Sequence, residues 1–499
     1  MNCEYTRKNL MFMLFLSVLF FYRMPVTAGD DFDDLIKKQN KKFEQMQKDA
    51  DDRFEKMKQV DAEFAKVLNR AWKELDLNTG IKPDATPKPE TPPVARPADV
   101  PSPRPFAPQE KILPPSLPKP KPELKPIKPV EKAGISLSFD FFGAPLRMIC
   151  DPRAKHSLKG PAGENTISAF WEALSKSDYQ AFLTQALGIR KQLSLNDWGY
   201  YELLKAAGES FYAGSINESR LFTWFMMVQS GYDARAGFAD NQVYLLLPSV
   251  NTVYSTPYFT FGKNNYYVMF MNTPSKTVKS LYTYQGNYGV AGKPMDFAVI
   301  TPPDIAGIND RKTFTFTYAG KTHNLMVNVR QNVVDFYRYY PHTNLVIYFR
   351  ASMAADTRNE ILSALKLVVQ NLPEEEAVNI LLCFVQTAFA YKTDEAQFGN
   401  EKYFFPEETL YYPYSDCEDR AVLFAWLVRN LLNLDVVGLD YPGHVATAVR
   451  FAGNAPGDAV IYNSARYVIC DPTYINARYG ECMPIFKKVA PEIVQIAGN

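Results

Sequence analysis

The chain has 499 residues, 55 Lys and Arg against 54 Asp and Glu, and a formal charge of +1. So balanced a chain lacks the basic excess that nucleic-acid binding needs. Its four histidines show no zinc-ligand spacing with the cysteines, and six cysteines in so long a chain exclude a disulfide-built scaffold.

The N-terminus reads as a signal peptide over residues 1–28. Arg7 and Lys8 precede an apolar core from Leu10 to Phe21, and Val26 and Ala28 supply a cleavage site before Gly29. The core is short for a membrane span, which disfavours a retained anchor. No cysteine stands at the cleavage point to mark a lipoprotein. The expectation is an exported protein, periplasmic, extracellular or at the cell surface.

Residues 29–78 carry Phe32, Phe43, Phe54 and Phe64 at spacings of eleven, eleven and ten, each followed three positions on by Leu35, Met46, Met57 or Val67. An eleven-residue period keeps a narrow apolar stripe in line along a helix. The stripe predicts a coiled coil that self-associates. Residues 81–130 then hold 17 of the 36 prolines. A linker over 79–132 is therefore expected to be an extended, stiff spacer.

The roughly 370 residues that follow are enough for two or three cores. Helices are expected at Thr166–Ser175 and Leu203–Ser210, and strands in VYLLL, YYVMFM, KTFTFTYAG, HNLMVNV and NLVIYF. Helices return at Thr357–Asn371 and Glu375–Tyr391. The reading is α+β: residues 133–275, a β-rich region over 276–355, and a last domain over 356–499.

The last domain carries the chemistry. Cys417, in SDCEDRA, opens an apolar segment from Ala421 to Leu432 that reads as a buried helix with Ser415 or Asp416 as N-cap. A thiol there feels the positive end of the helix dipole, which favours thiolate. His444, in PGHVATAVRF, begins a strand with Val445, Thr447, Val449 and Phe451 on one face and His444, Ala446 and Ala448 on the other. Asp471 ends a strand from Tyr467, stopped by Pro472. Should the two strands pair, Asp471 lies beside His444, giving nucleophile, base and orienter in chain order.

These residues resemble the transglutaminase-like superfamily, and FVQTAFAYKTD with YFFPEETLYYPYSDCEDRA resembles the bacterial transglutaminase-like cysteine proteinases. The resemblance runs from about Val385 to Tyr474; one departure is Ser415, where the family usually has Gly. It implies a papain-like catalytic domain that cleaves peptide or protein amides through Cys417, His444 and Asp471. The rivals are a crosslinking transglutaminase, in which an amine resolves the same intermediate, and a non-catalytic surface scaffold. Gln386, on the preceding helix, is a candidate oxyanion donor. Tyr411, Tyr412 and Tyr414 are candidates to line the cleft. Asp416, Glu418 and Asp419 oppose thiolate formation unless neutralised. Arg420 is one candidate counter-charge; calcium, which the similar proteinases use beside this motif, is another, and no cofactor is required. Cys470 reads as a core thiol or a disulfide partner of Cys482.

Residues 217–238 (NESRLFTWFMMVQSGYDARAGF) align with residues 417–439 (CEDRAVLFAWLVRNLLNLDVVGL), matching Glu218 and Arg220 to Glu418 and Arg420. Asn217 stands for the cysteine, Asn241 or Gln242 for the histidine and Asn272 for the aspartate. Two readings stand: a degenerate copy of the catalytic domain without its chemistry, and chance similarity of two helix-then-strand units.

Overall fold

The computed structural model describes residues 56–83, 88–96, 134–269, 278–307 and 309–496. The signal segment, residues 29–55 and most of the proline-rich stretch lie outside them. Among the described residues no helix is long and apolar enough to cross a membrane. The architecture is mixed helix and sheet, as an α+β chain.

Residues 56–68 are helical. They belong to the first folded unit rather than to a coiled coil. Phe64 is 2 % exposed, with its ring 4.7 Å from Trp171, 5.4 Å from Tyr284 and 5.3 Å from Tyr288. Buried Asp61 accepts hydrogen bonds from Tyr179, Gln229 and Tyr288. The chain then forms strand β1 (Lys73–Asp76) at the edge of the first sheet. Here the narrow stripe is covered by the chain's own aromatic core, which corrects the coiled-coil expectation for residues 56–78. Phe32, Phe43 and Phe54 lie outside the described residues.

A hairpin of β2 (Ile135–Phe141) and β3 (Ala144–Cys150) leads into helices Glu164–Ser175, Tyr179–Gln192, Asp197–Phe211 and Ile216–Gln229. Strands β4 (Arg235–Ala239), β5 (Gln242–Pro248), β6 (Tyr258–Phe261), β7 (Asn264–Met269) and β8 (Ser280–Thr283) complete the sheet, in the order β1-β8-β4-β5-β7-β6. A hairpin of two ten-residue strands, β9 (Asn309–Tyr318) and β10 (Lys321–Arg330), follows with alternating burial along both strands. The run NLVIYF, expected as a strand, is instead the helix Leu345–Arg350. A short apolar run fits either a buried strand or a buried helix turn, and here packing chose the helix.

In the last unit, Ala355–Val369 and Glu374–Thr387 are helices, and two-residue strands β11 (Ala390–Tyr391) and β12 (Tyr414–Ser415) pair in parallel just before the helix Cys417–Leu431. Strands β13 (Asp435–Tyr441), β14 (His444–Arg450), β15 (Ala459–Tyr462), β16 (Ala465–Cys470) and β17 (Glu492–Gln495) form a sheet in the order β15-β16-β14-β13-β17. The Cys417 helix shares the main core with Val436, Val445, Val449 and Cys470. The opposite sheet face carries a smaller cluster of Val437, Leu439, Ala446, Ala448 and Ile469. Strand alternation thus divides the residues of β14 as their sequence pattern predicts.

The two sheets share a plan. Each helix, Ile216–Gln229 or Cys417–Leu431, runs into a hairpin (β4–β5 or β13–β14). A second hairpin follows, whose later strand (β7 or β16) pairs with β5 or β14, and a last strand (β8 or β17) borders β4 or β13. The register agrees: Leu245 faces Met269 three residues after Gln242, as Thr447 faces Cys470 three residues after His444. Gln242, which pairs with Ala239 as His444 pairs with Tyr441, therefore stands in the histidine position. Asn241 lies in the turn. Counting one residue on from Met269, as Asp471 follows Cys470, reaches Phe270 rather than Asn272, both outside the described residues.

Candidate functional site

The Cys417 helix begins where its sequence predicts. Asp416 is the N-cap residue, and Asp419 reaches back to accept the Asp416 N–H at 3.2 Å and the Phe404 N–H at 2.9 Å. These bonds satisfy donors at the helix entry and fix its first turn. Cys417 is fully buried, and its Sγ donates to Glu418 Oε2 at 3.1 Å. Burial, with the Glu418 and Asp416 carboxylates added, holds the thiol well above its ordinary range, although a nearby ammonium works the other way. The helix-dipole argument for a thiolate is thereby overturned. A helix terminus is worth roughly 0.3–1 kcal/mol near the surface, whereas full desolvation shifts a pKa by several units.

That ammonium belongs to Lys88, from the proline-rich stretch. Its Nζ bonds Glu418 Oε1, lies 3.0 Å from Asp416 Oδ2 and 2.5 Å from Glu401 Oε1, and is 3.9 Å from Asp394 Oδ2. Thiol and ammonium share one carboxylate, an oxygen each. Burial disfavours the ionised Glu418, but Lys88 and hydrogen bonds from Asp416 and Cys417 outweigh it and hold the acid down to about 2. Asp416 is pushed up by burial and by Glu418, and Glu401 up to about 7 by the same two causes. Arg420 adds positive charge near Asp416, Asp419 and Cys417 without bonding them; its guanidinium donates to Ser415 Oγ, Gln386 O and Phe389 O, holding the entry to the helix together. Oxygens of Asp394, Glu401, Asp416 and Glu418 come close enough in groups to suit a hard cation such as calcium. In this structure the Lys88 ammonium is their cation.

His444 and Asp471 meet as predicted. Strands β14 and β16 are adjacent and antiparallel, and His444 Nε2 lies 2.8 Å from Asp471 Oδ2 with both residues buried. Asp471 Oδ1 accepts the N–H groups of Thr473 and Tyr474, which locks the carboxylate. The Phe486 ring stacks on the imidazole at 5.2 Å and 7°. His444 Nδ1 is buried without a hydrogen-bond partner. The thiol of Cys417, the expected nucleophile, bonds Glu418 rather than His444, the expected base. By alternation His444 sits on the sheet face of Ala446 and Ala448, away from the main core that holds the Cys417 helix.

Gln386 is close to the site but is not a free oxyanion donor. Its Nε2 donates to Asp471 O and Ala477 O, both at 3.0 Å, and its Oε1 accepts the Asn476 N–H at 3.1 Å. All three bonds brace the 471–477 loop, so Gln386 positions Asp471. Tyr412 packs against Phe404, Lys312 lies over the Tyr411 ring, and Lys392 lies over Tyr414. Tyr391 is the tyrosine tied to the proline-rich stretch, its hydroxyl donating to Pro89 O at 2.9 Å. Cys150, Cys383, Cys417, Cys470 and Cys482 are all free thiols, so Cys470 and Cys482 do not pair. They lie in clusters on opposite faces of the sheet. Lys88, Glu401 and Phe486 carry no signal in sequence spacing that would have brought them to this site, whereas Tyr391 and Asp394 lie in the FVQTAFAYKTD run that carries the resemblance. Comparison with protein-family models, curated proteins and solved structures yields no match.

Proposed function

We propose that the chain is an exported cysteine hydrolase of transglutaminase-like fold that cleaves peptide or protein amides. The observation that carries this reading is the buried His444–Asp471 pair, whose Nδ1 is left unbonded beside a strand packed on the cysteine helix. An imidazole with one nitrogen held by a locked carboxylate and the other free has the form of a general base. In the reaction, the Cys417 thiol leaves its bond to Glu418 and turns to His444, and Sγ attacks the amide carbonyl carbon as its proton passes to the imidazole. The C–N bond then breaks, and the imidazolium returns the proton to the leaving amine. Water next adds to the thioester, again losing a proton to His444, and releases a carboxylic acid and the free thiol.

A non-catalytic scaffold is the second reading. It is favoured by the buried Cys417 thiol and its bond to Glu418. The experiment is incubation of the full chain with an electrophilic amide mimic and mass spectrometry of Cys417, alongside peptide and glutamine substrates with a fluorescent amine present. Labelling of Cys417 with release of a new carboxylate supports the hydrolase. Dominant amine incorporation points to a transglutaminase, and a folded protein inert in every arm leaves the scaffold.

The shared strand plan and register support reading the first sheet, with the helix Ile216–Gln229, as a degenerate copy of the last domain. Asn217 bonds the start of β5, its Oδ1 accepting the Val243 N–H and its Nδ2 donating to Asn241 O. An amide in that place fastens helix to sheet and offers no nucleophile.

A further inference from the structure

We infer that the groove running from Ile475–Glu481 to the carboxylates beside Cys417 is a binding site for an extended, lysine-bearing peptide strand, and that residues 88–96 fill it in cis. The segment KPETPPVAR meets the last domain at both ends, at Lys88 and Pro89 and again from Pro93 to Arg96. Lys88 enters the carboxylate cluster and Tyr391 bonds Pro89 O. Ile475 N donates to Pro93 O and Ala95 N to Ile475 O, each at 2.8 Å, in a parallel β-bridge at Val94. Arg96 pairs with Glu481, and its carbonyl accepts from Asn476 Nδ2 at 2.7 Å.

The chemistry of the contacts defines the ligand class. The bridge draws on one strap N–H, that of Ala95, so prolines at 89, 92 and 93 are tolerated. The cluster converges on one point charge, which suits a compact ammonium better than a planar guanidinium. The Lys88 side chain is only 14 % exposed. The β-bridge at Val94 and the Arg96–Glu481 pair hold the segment at its other end, independently of the carboxylate cluster. The peptide site stands whether or not Cys417 is catalytic. Its consequence, a strap that keeps substrate from the thiol, rests on the proposed hydrolase.

The test uses the full chain and two variants. Lys88→Glu places a carboxylate among carboxylates; Ala95→Pro removes the bridge donor and leaves the cluster intact. The probe is a fluorescent synthetic peptide of residues 88–96, followed by anisotropy. A tethered strap acts at an effective concentration of about millimolar, so the wild-type chain is expected to bind the probe at least about tenfold more weakly than Ala95→Pro does. The probe with alanine in place of its lysine should not bind. Alkylation of Cys417 by iodoacetamide, read by mass spectrometry, should rise at least about tenfold in Ala95→Pro, which keeps the Lys88 ammonium, as the opened fraction grows. Equal probe binding by wild type and both folded variants, or no binding by any, overturns the site. Probe binding without faster alkylation overturns the block alone. Amide cleavage is scored separately, so an inactive chain that binds the probe refutes the hydrolase and leaves the peptide site standing.

Discussion

At the scale of single residues, the thiol and the imidazole behave differently. Cys417 is fully buried and its pKa lies well above the ordinary thiol range, so it stays protonated at neutral pH. Cys383 is half-buried, and burial raises its thiol too. In the wild-type chain at pH 8, Cys383 is therefore expected to be alkylated before Cys417, and Cys417 modification should still be climbing with pH beyond the ordinary thiol range. Peptide mapping of a timed iodoacetamide reaction reads both; fast labelling of Cys417 at pH 7 would refute the protonated thiol. For the pair, His444→Ala should abolish acyl-enzyme formation. Asp471→Asn should lower turnover by about 10⁴-fold, the order seen when a triad orienter is neutralised. An unchanged rate in the first variant would assign the base elsewhere.

At the scale of elements, Gln386 and Glu407 show how buried polar groups set the architecture of the site. Gln386 ties the helix Glu374–Thr387 to the 471–477 loop with three hydrogen bonds. Gln386→Ala would leave those loop groups unpaired and should destabilise the chain by about 2–4 kcal/mol. Denaturant titration checks it, and a loss below about 0.5 kcal/mol would contradict the bracing role. Glu407, in the helix Pro406–Tyr411, is 1 % exposed and accepts the Ala354 N–H, while its Oε1 has no partner. Burial pushes its carboxyl up to about 7. The folded state therefore binds this proton more tightly than the unfolded state does. Its contribution is fully present below about pH 4.5 and is lost as pH rises through about 7. Glu407→Gln removes the ionisation, and should raise stability at pH 8 relative to wild type by on the order of 3 kcal/mol, with little difference at pH 4. Melting curves at the two pH values decide it.

At the scale of the molecule, the phenylalanine stripe divides. Phe64 is a core residue of the first unit, so Phe64→Ala should cost about 3–5 kcal/mol. Phe43 and Phe54 precede the described residues, and their expected role is self-association. Phe43→Asp with Phe54→Asp should therefore turn an oligomer into a monomer in sedimentation and leave the melting temperature unchanged. A monomeric wild-type chain at high concentration would refute the coiled coil. The proline-rich stretch divides likewise. Residues 88–96 are docked, and Ile81 bridges Tyr254, so these parts do not act as a free spacer.

The sequence by itself determined what local chemistry decides. The long amphipathic or apolar runs became helices, alternation assigned Val445 and Ala446 to opposite faces, and the Asp416 cap set the start of the Cys417 helix. The pairing of His444 with Asp471 was legible because both sit at the ends of adjoining strands. Only the tertiary structure decided the rest. Whether NLVIYF became helix or strand depended on its neighbours, since a six-residue apolar run satisfies both periods. Whether Cys417 became a thiolate depended on the burial that the fold imposes, joined by the Glu418 and Asp416 carboxylates beside it, effects stronger than the dipole that sequence position implies. That Lys88, 328 residues from Asp416, supplies the counter-charge is a long-range contact with no local pattern to announce it.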